Sequence, residues 1–393
     1  MKILIVAKRP THPTNSGSRR FILSQVELFK KMGHDVHYLY IHEEWHPKKW
    51  GNKESINRSK EYWGDNLHIR HVTILTILWY YVLIGLRVLF RKGNQKADDT
   101  FPWFLSHQVN HLHAKYNFDC CVINYYDLSK LFTQIKIPLL ALTTHDYYSY
   151  KALLTGKRYV KSSTDASEEA KAMQRCPNIF ALNTEEAVYF SKLSPFSNIY
   201  NVFSTYEYKS SKVVGNKVIL FLSGDNIYNR NGLRWFIDSV MPIILKRHPD
   251  ASLRIGGSIC KFLKGYEEKK WVDLVGYVED SSDFYNSADV VINPTYEGTG
   301  LKIKTFESIA YDKVTMAHPH SVVGIFRPET APIFNSIEPK EWVDYLDTIW
   351  QHTETIQQIK RQNELYITSM MNFVIKEYQR FFNSNKNSKH SFL

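Results

Sequence analysis

Short apolar runs of strand length alternate along this chain with longer stretches whose apolar positions recur at helical spacing. The first run, Lys2 to Ala7, is apolar throughout after its opening lysine. That pattern suits a strand buried on both faces of a parallel sheet. A polar loop from Lys8 to Ser18 contains Pro10, Pro13 and Gly17. Beyond it Phe21, Ile22, Val26, Leu28, Phe29 and Met32 predict an amphipathic helix. Gly33 marks its end and Val36 to Ile41 the next strand. Strand, loop, helix and strand form a βαβ unit, because parallel strands need a crossover.

The same pattern continues. Cys120 to Asn124, Leu139 to Thr143 and Ile179 to Leu182 read as strands, the last followed by Asn183 and Glu186 at capping-box spacing. Residues Ser204 to Asn216 are polar and weakly patterned, which places a domain boundary there. A second series follows: strand Val218 to Leu222, loop Gly224 to Asn231, and an amphipathic helix from Leu233 to Lys246. Ser252 to Ile255, Leu274 to Tyr277, Val290 to Asn293 and Val314 to Ala317 supply further strands. Glu354 to Phe382 reads as helix and Asn383 to Leu393 as a frayed tail. The resulting division is 1–205, 206–372, and a helix end with polar tail at 373–393.

One segment breaks the pattern. Val72 to Phe90 is almost wholly apolar, interrupted by Gly85 and Arg87 and flanked by Arg70-His71 and Arg91-Lys92. Arg87 cuts the run short of the roughly 20 apolar residues that a span requires. Two readings stay open: a buried or oligomer-forming helix, or an interfacial helix with basic ends toward anionic lipid.

A length of 393 residues favours two domains over one core. Hydrophobic residues at 44% and charged residues at 23% place the chain among ordinary globular proteins. The formal charge of +11 implies anionic partners without choosing among nucleotide phosphates, nucleic acid and acidic lipid. The four cysteines show neither a Cys-x-x-Cys pair nor zinc spacing, so reduced structural thiols in the cytoplasm are expected. The apolar start lacks a signal-peptide cleavage pattern and reads as a strand.

The chemistry concentrates between Asn293 and Ala310. A strand ends at Asn293, a loop carries Gly298 and Gly300, and a helix begins near Leu301. Glycines let backbone approach a ligand, and a helix start favours phosphate. Lys302 and Lys304 add positive charge, and Glu307 is placed to accept hydrogen bonds from sugar or ribose hydroxyls. An ordinary Gly-rich turn before a solvated helix is the competing explanation. The position at the carboxyl edge of a parallel sheet favours a ligand site.

This block, Glu297-Gly-Thr-Gly-Leu-Lys-Ile-Lys-Thr-Phe-Glu307, with Lys313-Val314 and Val323-Gly324, resembles the donor-site signature of glycosyltransferase family 4. The similarity extends over residues 217–325 and is looser in the N-terminal half. It implies an α/β, GT-B fold: two Rossmann-like domains with parallel sheets facing across a cleft. It further implies a retaining transferase that uses a UDP- or GDP-sugar as donor. By that resemblance Glu307 binds the ribose, and Glu297 with Gly298, Thr299, Gly300 and Leu301 holds the donor sugar. Lys304 contacts the diphosphate, with Lys302 or Arg230 as second candidates. Gly17 meets the donor phosphates, and His145 stands beside sugar and acceptor. The spacing from Glu297 to Glu307 is two residues longer than the family's common one, and Asn231-Gly232 stands where Lys-Gly is usual.

No Asp-x-Asp motif occurs, so a metal-dependent transferase with one nucleotide-binding domain is disfavoured and no metal is expected. The expected acceptor is a glycan or lipid-linked glycan in bacterial-type surface-polysaccharide synthesis. The enzyme would then be cytoplasmic, with a peripheral place on the inner membrane face through 72–92. A GT-B epimerase or phosphorylase is the alternative, followed by a nucleic-acid-binding protein. The scattered lysines and the lack of a recognition motif argue against nucleic acid.

Overall fold

The computed structural model describes residues 1–14, 17–43, 53–90, 96–99, 101–155, 165–263, 265–266, 268–298 and 303–388. Two compact units emerge, Met1–Thr205 with Val374–Leu393, and Tyr206–Phe373.

The first unit runs β1 (Lys2–Ala7), α1 (Gly17–Lys31), β2 (Asp35–Glu43), α2 (Lys53–Trp63), β3 (Leu67–Val72), α3 (Ile74–Phe90) and α4 (Leu105–Tyr116). It continues through β4 (Cys120–Asn124), β5 (Leu139–Thr143), α5 (Tyr148–Thr155), α6 (Ala166–Met173), β6 (Asn178–Ala181), α7 (Thr184–Leu193) and β7 (Asn198–Asn201). Its strands form one parallel sheet ordered β3-β2-β1-β4-β5-β6-β7. Ile3 to Ala7 are buried completely, as an unbroken apolar strand between two helical layers must be. The order reverses between β1 and β4, the position at which such sheets open a ligand crevice.

The second unit runs β8 (Val218–Leu222), α8 (Ile227–Trp235), α9 (Met241–Arg247), β9 (Ser252–Gly256), β10 (Val272–Gly276), α10 (Ser281–Asn286) and β11 (Val290–Asn293). It closes with α11 (Ile303–Ala310), β12 (Val314–Ala317), β13 (Ile333–Asn335), α12 (Pro339–Gln351) and the start of α13 (Thr353–Ser388). Its parallel sheet is ordered β10-β9-β8-β11-β12-β13. From Val374 onward α13 belongs to the first unit, where the Tyr378 hydroxyl accepts from Gln25 Nε2 at 2.9 Å.

Local chemistry moves several expected boundaries. Asn226 caps α8 by accepting from Asn229 N at 2.9 Å, so the helix starts at Ile227 and Arg230 and Asn231 sit on it, not in a loop. A π-turn at Phe236–Val240 joins α8 to α9. The tail is helical to Ser388, beyond the expected end at Phe382, and 389–393 lie outside the described residues. The capping box on α7 is half made. Asn183 accepts from Glu186 N at 2.8 Å, but the Glu186 carboxyl accepts from Leu182 N at 3.1 Å and Thr144 Oγ1 at 2.8 Å.

Burial raises the Glu186 pKa from 4.5 to about 7, although the Thr144 hydroxyl bond opposes the shift. The folded carboxyl therefore keeps a proton that the unfolded chain releases near 4.5. Stability is highest below that value and falls as pH rises through about 7. In thermal melts at pH 5 and pH 8, the Glu186→Gln variant should lose less stability across the interval than the natural chain. Equal losses would show that this carboxyl is ionised in the fold.

Candidate functional site

In the second unit the candidate residues gather at the carboxyl edges of β8 and β11. Asn293 ends β11 with its side chain buried, donating from Nδ2 to Thr305 Oγ1 of α11 at 2.9 Å. Among the described residues its Oδ1 meets no hydrogen-bond partner. The loop beyond is held down by Ser321, whose hydroxyl donates to the Thr295 carbonyl at 2.6 Å.

Lys304, in the first turn of α11, sends its ammonium back across the sheet edge. Nζ donates to Asn229 Oδ1 at 2.6 Å, reaches Thr295 Oγ1 at 3.5 Å, and lies 5.2 Å from the Phe221 ring centroid. Asn229 is oriented for this by donating its own Nδ2 to the Gly224 carbonyl at 2.8 Å. Glu307 follows one turn along α11 and is 6% exposed. A cation and a carboxylate three residues apart share one helix face.

Two further contacts shape the loop. Glu297 Oε1 accepts from Asn231 Nδ2 at 2.5 Å. Gly298 has φ +102, and a β-carbon there would stand 3.2 Å from the Tyr228 ring. Its carbonyl lies 2.8 Å from His320 Nε2, which must carry the proton of that hydrogen bond. Thr299, Gly300, Leu301 and Lys302 lie outside the described residues.

Arg230 is not drawn into this group. Its guanidinium makes a bidentate pair with Asp225 at 2.6 and 2.7 Å and lies 5.2 Å from the Phe262 ring centroid. Asn229 and Asn231, its helix neighbours, turn toward Lys304 and Glu297 instead.

Gly232 explains why α8 and the loop can meet. A β-carbon there would fall 2.7 Å from the Pro294 carbonyl oxygen and 2.8 Å from Thr295 Cα. Both are backbone atoms, so neither can swing aside. The Gly232→Ala variant should lose about 1–3 kcal/mol of stability through forced separation of helix and loop. Denaturant melts would measure it, and a loss under about 0.5 kcal/mol, the range of ordinary surface substitutions, would contradict the close approach.

In the first unit Gly17 is the first residue of α1, and Ser16 before it lies outside the described residues. His145 follows β5 with φ +68, and Tyr125 follows β4 with φ +75. Such backbone costs on the order of 1–3 kcal/mol and points to a functional constraint. The two rings stack at 4.4 Å between centroids, and Phe21 of α1 meets His145 edge-on at 5.7 Å. Asn124 donates Nδ2 to the Val6 carbonyl at 3.3 Å, which turns its Oδ1 toward His145 Nε2 at 2.7 Å. Nε2 therefore carries the hydrogen and Nδ1 the lone pair. Burial, followed by the Arg9 charge, pushes the His145 pKa down to about 3, so the ring is neutral near pH 7. Among the described residues no group of three or more His, Cys, Asp or Glu side chains is placed to hold a metal ion.

The whole chain is similar to several solved structures at low identity. HepE from Anabaena, in complex with UDP, aligns over 98% of this chain and 100% of its own, with 12% identity and a TM-score of 0.64. Sucrose-phosphate synthase from Thermosynechococcus elongatus aligns over 99% and 100%, with 11% identity and a TM-score of 0.67. A TarM mutant from S. aureus, in complex with fondaparinux, alpha-GlcNAc-glycerol and UDP, aligns over 97% and 99%, with 8% identity and a TM-score of 0.64. These likenesses establish the fold. A curated relative, an uncharacterized 44.6 kDa protein in the cps region of Klebsiella pneumoniae, is 23% identical over 78% of this chain and 80% of its own. Residues 216–352 match the family model described as Glycosyl transferases group 1. The chain is a GT-B glycosyltransferase.

Several residues of the transferase that shape these two sheet edges escaped the sequence reading. Asn229 gives no motif, and its role depends on the Asn226 cap that sets the helix phase. Asn124 and Tyr125 were legible in principle, since polar residues at the carboxyl ends of parallel strands mark ligand crevices. Arg9 and Arg19 of the transferase lie near Tyr125, whose phenol bonds Ser18 at the start of α1. Neither arginine stands in a recognisable pattern.

Proposed function

We propose that this transferase moves a sugar from a nucleotide-diphosphate sugar to a lipid-linked glycan, with retention, at the inner membrane face during surface-polysaccharide assembly. The observation that carries the reading is the pairing on α11 of Lys304, its ammonium turned over the carboxyl edge of β8, with Glu307 one turn later. A diphosphate needs a cation near its oxygens, and a ribose needs a carboxylate to accept from its hydroxyls. Lys304 takes the first role and Glu307 the second. Arg230 or Lys302 adds charge, and Arg230 must first leave Asp225 to do so.

Glu297, with the backbone of Gly298, Thr299, Gly300 and Leu301, holds the donor sugar. Gly17 lets the first unit's loop approach the phosphates. His145 with a pKa of about 3 is too weak a base to deprotonate an acceptor hydroxyl. Its Nδ1 accepts a hydrogen bond from the sugar instead. In retaining transfer the anomeric carbon–oxygen bond to the diphosphate breaks, the acceptor oxygen bonds on the same face, and the departing phosphate oxygen takes the acceptor's proton. The residues position the partners and stabilise charge on the leaving group, without supplying a base.

UDP-bound HepE and the cps-region relative support the donor class and the pathway. A thermal-shift screen of UDP and GDP tests the donor: specific binding raises the melting temperature by mass action. No shift with any nucleoside diphosphate at millimolar concentration would remove the reading. The anomeric configuration of the product, read by NMR, tests retention.

A further inference from the structure

Helix α3 carries eight large apolar side chains exposed to solvent, from Ile74 to Phe90, with Leu75 and Leu89 each 75% and Phe90 81% exposed. At 3.6 residues per turn these eight positions all fall within an arc of about 160°. The opposite side is tethered: Tyr81 packs against the core of the first unit, and Thr76, Leu83 and Ile84 are partly covered. The helix is therefore fixed to the protein along one side and presents a continuous apolar face along the other. Folded proteins rarely leave so large an apolar patch in water.

We propose that this face of α3 docks on an anionic lipid bilayer, lying parallel to its surface with the apolar side chains below the headgroups. Three observations select lipid. From Arg70 to Lys96 the sequence holds five Lys or Arg residues and no Asp or Glu, complementary to an acidic surface. Residues 91–95 contribute their charge by sequence alone, since they lie outside the described residues. Seventeen residues rise about 25 Å, short of a hydrocarbon core of about 30 Å. Among the described residues no helix is long and apolar enough to cross a membrane. Inserting α3 end-on would also pull Tyr81 out of the core, whereas lying flat leaves that side in place. Trp79, 60% exposed, has the amphipathic ring that favours the interface.

The inference deepens the reading of a membrane-borne acceptor and depends on it for purpose only. Binding is measured with the full chain and no donor or acceptor present, so it stands or falls separately from transfer. Vesicles of phosphatidylglycerol and phosphatidylethanolamine should sediment the protein, pure phosphatidylcholine much less, and high salt should weaken the difference. The doubly substituted Leu75→Glu/Leu89→Glu variant, altered only at exposed positions, should keep its melting temperature and bind anionic vesicles roughly tenfold or more weakly. Two results overturn the proposal. One is absence of sedimentation with anionic vesicles. The other is a lipid-free dimer that the double variant splits, which would make the face a contact between copies.

Discussion

Glu307→Ala should lower kcat/KM for the nucleotide-sugar donor about a hundredfold or more, with a far smaller effect on acceptor affinity. A carboxylate accepting from both ribose hydroxyls makes two charge-assisted bonds, each worth about 1.5–3 kcal/mol, and about 1.4 kcal/mol is tenfold in rate. Loss of the pair leaves the hydroxyls to compete for water at a buried surface, so the penalty falls on donor binding and on the transition state together. Glu307→Gln keeps the shape and should lie between the natural chain and the alanine variant. Lys304→Ala should cost roughly tenfold to a hundredfold by removing one cation from the diphosphate. Because Glu307 is buried, circular dichroism and a thermal melt must accompany the kinetics. Turnover near that of the natural chain in both alanine variants would remove the assignment.

Gly257→Ala should be the most damaging change to the stability of the second unit. Gly257 has φ +95, and a β-carbon there would stand 2.2 Å from the Ser223 carbonyl oxygen, well inside contact distance. Its N–H donates to the Gly276 carbonyl at 2.5 Å, so the residue cannot retreat without breaking that bond. Left-handed backbone costs a β-carbon about 1–2 kcal/mol, and overpacking adds about 1–3 kcal/mol. Together these predict about 2–5 kcal/mol, or roughly 4–20 °C in the melting of a unit this size. The damage should also reach the proposed donor site. The strand β8 corner that Gly257 faces leads into Gly224, whose carbonyl orients Asn229 and through it Lys304. Calorimetry that shows the second unit melting within about 2 °C of its natural temperature would contradict this geometry.

The two alternating α/β series were readable because a strand buried on both faces has to be apolar along its buried length, and β8 is apolar throughout while β1, β4 and β11 are apolar but for one end residue. The block from Glu297 to Glu307 stood out for the same local reason: a strand end, small residues and a helix carrying Lys304 and Glu307 follow one another in sequence. Boundaries set by single side-chain bonds were less legible. The Asn226 cap advances α8 into the expected loop, and Glu186 turns from its own helix start to Leu182 and Thr144.

Sequence by itself determined the α/β fold class and marked the segment proposed to bind the donor, because periodicity and nearest-neighbour spacing are properties of the chain. Only the tertiary structure decided which polar groups meet. Lys304 and Asn229 are 75 residues apart, Glu297 and Asn231 66, and His145 and Asn124 21, each pair joined because parallel strands bring their carboxyl ends to one edge. The apolar run of α3 shows the same division. Its composition was plain, but which side packs and which faces water depended on Tyr81 finding the core, a contact between distant segments that no local pattern records.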